Sequence, residues 1–270
     1  MGKNYGTCHI CGGYKKLTFE HIPPAKAFNQ NKEITYLGTE ILKNNGKFPW
    51  DFIDRKGKIH QGGIGGHTLC GKCNSDTGGW YARAFVDFVA QAYKQLTLPK
   101  VTDNKVKVGL KQIYPLRIIK QVIAMFFSIN NSDIQRIHPE LRRFVLSKHV
   151  KGLDDTKFAI FMYALKGNIS RYAGISFMGS FSIKKPRILS ELSAPPFGYV
   201  LEFSPNRETI PTDYYEVTFF ANKFNYDSRI SLPVELPILE NNTPLPADYR
   251  SKEDILKDYI KNKLDEPNNP

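Results

Sequence analysis

"CHICGGYKKLTFEHIPP", residues 8–24, holds the two features on which the chain is read. The first is a C-x-x-C pair, Cys8 and Cys11. The second is an acid beside a histidine, Glu20-His21, after the apolar Leu17 and Phe19 and before Pro23 and Pro24. A matching pair, "CGKC", supplies Cys70 and Cys73 after a gap of 58 residues, and the chain has no other cysteine. Two residues between thiols let a tight turn aim both sulfurs at one tetrahedral ion. Gly12, Gly13 and Gly71 offer the backbone freedom that such turns need. The four cysteines therefore read as a structural zinc site, closed by four protein ligands with no open position for water. Two disulfides are the alternative, and the lack of an apolar secretion signal at the N-terminus argues against them. A redox role would have to fall on both pairs at once. His9 lies between two ligands as a bystander.

Closing Cys8 and Cys11 onto Cys70 and Cys73 brings residue 20 close to residue 74. The order is then "CHIC", "FEHIPP", a long insertion that ends in "HQGGIGGHTLC", and "LCGKCN", in which Asn74 follows the fourth cysteine. This arrangement resembles the HNH endonucleases, the ββα-metal nucleases that are often braced by a four-cysteine zinc. The match covers about residues 5–90. The resemblance implies roles residue by residue. His21 matches the general base that takes a proton from the attacking water. Glu20 matches the acid that ligates a catalytic divalent metal, Mg²⁺ or Mn²⁺. Asn74 matches the third signature position, a second ligand of that metal, and the nuclease reading fails unless the three meet in one pocket. The family's middle signature residue, an asparagine that supports the base, falls at Gly65 here. His67 is the nearby polar residue available to substitute for it or to touch phosphate.

The chemistry is coherent without the resemblance. Phosphodiester hydrolysis needs an activated water, and neutral histidine suits that near pH 7. It also needs a cation to offset charge on the phosphate and the leaving oxygen. One difficulty is geometric. Neighbours on a strand point to opposite faces, so Glu20 and His21 share a pocket only if the backbone is irregular or one side chain reaches around. Pro23 biases Ile22 to an extended state, and both prolines fix the exit path. The bland reading is an inert zinc ribbon with a surface acid–histidine pair and Asn74 as a helix cap.

Charge points the same way. The 270 residues carry a formal +12. Residues 1–100 hold 14 Lys/Arg against 7 Asp/Glu, residues 101–150 hold 9 against 3, and residues 151–270 hold 15 against 16. The excess lies wholly in the first 150 residues, which fits a polyanionic partner, nucleic acid and DNA first among them. Lys72, Arg83, Arg142 and Arg143 are the candidate phosphate contacts. The insertion, about residues 30–62, reads as a surface loop with short elements of its own.

The expected fold class is α+β. A zinc-braced ββα-metal, HNH-like domain over 1–98 is followed by helices and an antiparallel-sheet domain within 99–270. Apolar spacing predicts a helix over 79–98, with Trp80, Ala84, Phe85, Phe88 and Ala92 as core. It predicts a strand over 101–110, a helix over 114–130 with Pro115 in its first turn, and a helical region over 132–150 broken before Pro139. A hairpin over 157–178 turning near Gly167-Asn168, strands at 195–204 and 214–224, and a terminal helix over 251–264 complete the reading; "DEPNNP" is expected to fray. Lys120 interrupts the longest apolar run, so no membrane span is expected and a soluble cytoplasmic protein is the default. The resemblance implies a metal-dependent DNA endonuclease serving restriction or phage defence. The alternatives are an RNA nuclease with the same site and a non-catalytic zinc module. The second half positions substrate, a protein partner or a second copy of the chain.

Overall fold

The computed structural model of the protein describes residues 4–43, 47–96, 104–179, 186–207 and 214–265. The expected structure at 97–98, 101–103 and 266–270 lies outside those residues. β1 (Tyr5–Thr7) leads through the first cysteine turn into β2 (Tyr14–His21). The insertion carries a two-stranded ribbon, β3 (Glu33–Thr35) against β4 (Lys58–His60), with the short α1 (Gly38–Leu42) between them. β5 (Gly65–Cys70) returns beside β2, which gives an antiparallel sheet in the order β1-β2-β5. α2 (Gly71–Thr77) starts directly after β5. It passes through a π-helical turn, Gly78–Ala82, into α3 (Arg83–Leu96). The helix expected from residue 79 thus begins eight residues earlier, and Cys73 and Asn74 sit on it.

β6 (Lys105–Ile113) alternates buried and exposed residues, as a strand covered on one face must. α4 (Pro115–Ile129) is buried almost all round. Its apolar residues face α3 and the π turn on one side and the large sheet on the other. Lys120, inside that helix, is fully buried. α5 (Ile134–Ile137) and α6 (Pro139–Leu146) follow, broken at His138 where Pro139 takes the first helical position.

The second half is a seven-stranded sheet. Its strands are β6, β7 (Phe158–Lys166), β8 (Arg171–Met178), β9 (Arg187–Ala194), β10 (Phe197–Phe203), β11 (Tyr215–Glu216) and, after the short α7 (Phe219–Lys223), β12 (Ile230–Glu240). The order is β6-β12-β7-β10-β9-β8, with β11 also against β7. α8 (Lys252–Asp265) closes the chain.

Three expectations are corrected. Residues 157–178 do not form a hairpin: β7 pairs with β10, and β8 pairs with β9. The link 167–170 runs past the end where β9 and β10 turn, at Pro195-Pro196. Residues 214–224 are two strand residues and a helix, because the chain bends at Thr218 into α7 and buries Phe220 and Ala221. The sheet is mixed rather than antiparallel, since β12 runs parallel to β7 over Ile238–Glu240. The earlier part of β12, with Pro233 and Pro237, pairs only with β6. Proline lacks a donor and is tolerated where one edge needs none.

One apolar core runs from Cys8 and Ile10 through α3 and α4 to Val234 and Leu236. A smaller cluster around Phe161, Tyr163 and Val200 fills the other face of the sheet. No helix among the described residues is long and apolar enough to cross a membrane.

Candidate functional site

Cys8, Cys11, Cys70 and Cys73 meet, with their Sγ atoms all within 4.8 Å of one another. None forms a disulfide, and all but Cys11 are buried. The Cys11–Cys70 separation is 3.9 Å. A tetrahedron with metal–sulfur bonds of about 2.3 Å has edges of about 3.8 Å, so the set fits one four-coordinate ion. The backbone prepares the site: Gly12, at φ +74°, closes the first turn, and the Cys70 N–H donates to Cys8 Sγ at 3.3 Å. The Cys8 thiol is drawn down, chiefly by a hydrogen bond from Cys73, and that bond pushes the Cys73 thiol up. His9 is not a ligand; its Nδ1 bonds the Phe127 carbonyl oxygen at 3.1 Å.

The cluster clamps α2 onto β2. Asn74 Nδ2 donates to Thr18 Oγ1 and to the Phe19 carbonyl, each at 3.1 Å. Both amide hydrogens are thus spent on the strand, and Oδ1 is left as the acceptor. Glu20 lies on the Thr18 face of β2. Thr68 Oγ1 and Ser128 Oγ, the latter on α4, both donate to its Oε1. Burial raises the Glu20 carboxyl to about 7, against the lowering effect of those two donors.

His21 leaves β2 on the other face. Its ring meets Phe19 edge-on at 5.0 Å, and Phe19 in turn meets His67 at 5.5 Å. The single pocket expected for Glu20, His21 and Asn74 is therefore corrected. Glu20 and Asn74 share one face, while His21 and the exposed His67 share the opposite one. The extra residue in this pairing is Thr68 on β5, so β2 keeps the strict alternation that parts neighbours.

His21 is held by groups that carry no sequence signature. His21 Nε2 lies 2.9 Å from the Gly62 carbonyl oxygen. A carbonyl only accepts, so Nε2 carries the proton and Nδ1 keeps the lone pair of the neutral ring. The chain bearing Gly62 is pinned by the buried Asn29. Its Nδ2 donates to the Pro23 and Ile64 carbonyls and its Oδ1 accepts from the Ile64 N–H, all at 2.7 Å. Gly65 faces His21 across the ladder, where a Cβ would overlap the Glu20 carbonyl oxygen and the Phe19 ring. An asparagine has no room there, and Asn29 braces the loop from the other side. His67 does not take that role; it contacts Phe19, not His21's ring nitrogens.

The candidate phosphate contacts lie on neighbouring elements. Lys72, on α2, is exposed and pairs with Asp76 at 2.7 Å. Arg142 and Arg143 are on α6, which packs against α2. Arg142 bonds Gln135 at 3.4 Å, and Arg143 is exposed. Arg83 is exposed at the start of α3. Compared with family models, curated proteins and solved structures, the chain finds no match.

Proposed function

We propose that the protein is a metal-dependent HNH-type endonuclease that hydrolyses phosphodiester bonds in DNA, with zinc in the four-cysteine site. What carries the reading is the arrangement at the end of β2. Glu20 lies on the face of β2 where Asn74 bonds Thr18 and the Phe19 carbonyl, four cysteines clamp α2 to that strand, and His21 leaves the next position on the other face, with its ring oriented.

In-line displacement puts the attacking water and the leaving oxygen on opposite sides of phosphorus. The placement of His21 and of the Glu20–Asn74 pair on opposite faces of β2 counts against the reading, which expects the three in one pocket; the step requires the phosphate to reach both faces at the strand end. His21 Nδ1 takes the proton of the attacking water. Glu20 Oε2 and Asn74 Oδ1 are the atoms that would hold Mg²⁺ or Mn²⁺, which supplies positive charge to the phosphate and the leaving oxygen. Gly62 and Asn29 keep the imidazole in the tautomer that the step needs. Lys72, Arg83, Arg142 and Arg143 position the backbone of the strand, and the basic first 150 residues attract it. Restriction or phage defence is the setting this activity fits.

One observation favours a second reading, a zinc module that binds nucleic acid without cutting it. The Glu20 carboxyl is already covered by two hydroxyls. Plasmid nicking with Mg²⁺ or Mn²⁺, beside a gel-shift measurement on the same DNA, separates the two. The nuclease reading expects nicking that falls by about 10²-fold or more in Glu20→Ala and Asn74→Ala while binding persists. Binding with no nicking in either metal overturns it in favour of the binding module. A matched RNA substrate tests the choice of DNA.

A further inference from the structure

A cleft of about 770 Å³ lies between the insertion and the end of the large sheet. That is within the range of small-molecule sites, about 300–1,000 Å³. Its two walls differ in chemistry. On the insertion side, Tyr36 and Phe52 stack with centroids 4.8 Å apart and rings inclined by 23°. Lys56 and Lys58 stand on the same wall, exposed and without an ion-pair partner among the described residues. The opposite wall is formed by the β7–β8 link and the chain after β12, rich in amides and hydroxyls.

That second wall carries an excess of unmet hydrogen bonding. Of the five buried side-chain polar atoms without a partner among the described residues, three belong to it: Arg171 Nε, Asn241 Oδ1 and Asn242 Oδ1. The orientation of both asparagines is fixed. Asn241 Nδ2 donates to the Ile169 carbonyl and Ser193 Oγ, and Asn242 Nδ2 donates to Glu240 and the Arg250 carbonyl. Their Oδ1 atoms are sealed from solvent and do not face the cleft.

An aromatic pair and two ammonium groups without an ion-pair partner among the described residues, with Glu33 on the same wall, suit a flat ring that carries negative charge. We propose that the cleft is a nucleotide-binding site, taking a phosphorylated heteroaromatic base either free or as one unit of a strand. The ring extends the Tyr36–Phe52 stack, and the phosphates meet Lys56 and Lys58. The assignment does not need the nuclease reading. The cleft does adjoin the hairpin site: His60 lines it, and two residues later the Gly62 carbonyl holds His21.

The test is equilibrium binding of the full chain to a fluorescent N-methylanthraniloyl ATP, and in a second arm to a short labelled single-stranded DNA. The expected result is saturable nucleotide binding, weakened at least about tenfold by Lys56→Ala/Lys58→Ala. Both lysines are exposed, so that variant keeps the fold. Displacement of the nucleotide by the single-stranded DNA identifies the strand as the source, and failure to displace identifies a free nucleotide. No saturable binding of either probe below about 1 mM, or binding indifferent to the lysine pair, overturns the proposal.

Discussion

Asn29 shows at the level of one residue how the site is built. Its side chain makes three hydrogen bonds that tie the loop after Pro23 to the strand that starts at Gly65. Nothing in the sequence marks it, because its partners are backbone groups, at Pro23 and, 35 residues away, at Ile64. The cysteine cluster was legible, since thiols at C-x-x-C spacing carry their chemistry in their side chains; the roles of Glu20, His21 and Asn74 are proposed. The carbonyl of Gly62 was not, because every residue has one. Two substitutions follow. Asn29→Ala leaves buried backbone groups unpaired and is expected to cost about 2–3 kcal/mol in urea unfolding, with cleavage falling further than stability explains. Gly65→Asn, which would restore the usual middle residue, is expected to destabilise the hairpin rather than improve it, because the added Cβ meets the Glu20 carbonyl. Raised stability in Gly65→Asn would show that the β2–β5 register is wrong.

Among the elements, α4 was read correctly from its apolar spacing and from Pro115, yet its Lys120 has the larger consequence. The ammonium is fully buried and donates to the Phe144 and Ser147 carbonyls. Burial lowers it from the usual 10.5 to about 7. Between pH 7 and 10.5 the unfolded chain therefore binds more protons at this group than the folded chain does. Its contribution to stability rises with pH across that window and is flat below it. The slope is at most about 1.4 kcal/mol per pH unit. Denaturation of the wild type and of Lys120→Met between pH 7 and 10 is expected to show a stability difference that shifts with pH towards the wild type. Parallel profiles would contradict the lowered value. Strand partners were less legible than helices. Alternation marks β7 and β8 as strands but says nothing of which neighbours they take, so two strands joined by four residues were paired with each other. β9 was missed because its residues are buried on both faces and show no alternation.

For the whole molecule, the basic half and the neutral half were plain in the composition, and the α+β class followed from the pattern of elements. The shared core was not legible, because contacts between Ser128 on α4 and Glu20 on β2 span 108 residues. That core couples the cysteine cluster to the rest of the chain. Metal removal by a strong chelator, or Cys70→Ser, is expected to lower the midpoint of a single cooperative transition. Two separate transitions would show that the N-terminal part unfolds alone. Arg171 and Glu191, buried at 3.0 Å among Tyr163, Tyr249 and the Ala247 N–H, brace the other face of the sheet and the floor of the cleft.

The claim at the centre is that His21, oriented by Gly62, removes the proton from a water that attacks phosphorus opposite the Glu20–Asn74 pair. The most direct measurement is the single-turnover rate of plasmid cleavage by wild type and His21→Ala at saturating Mn²⁺. The prediction is a rate lower by about 10²–10⁴ in His21→Ala, with DNA binding unchanged. Equal rates for the two proteins would contradict it.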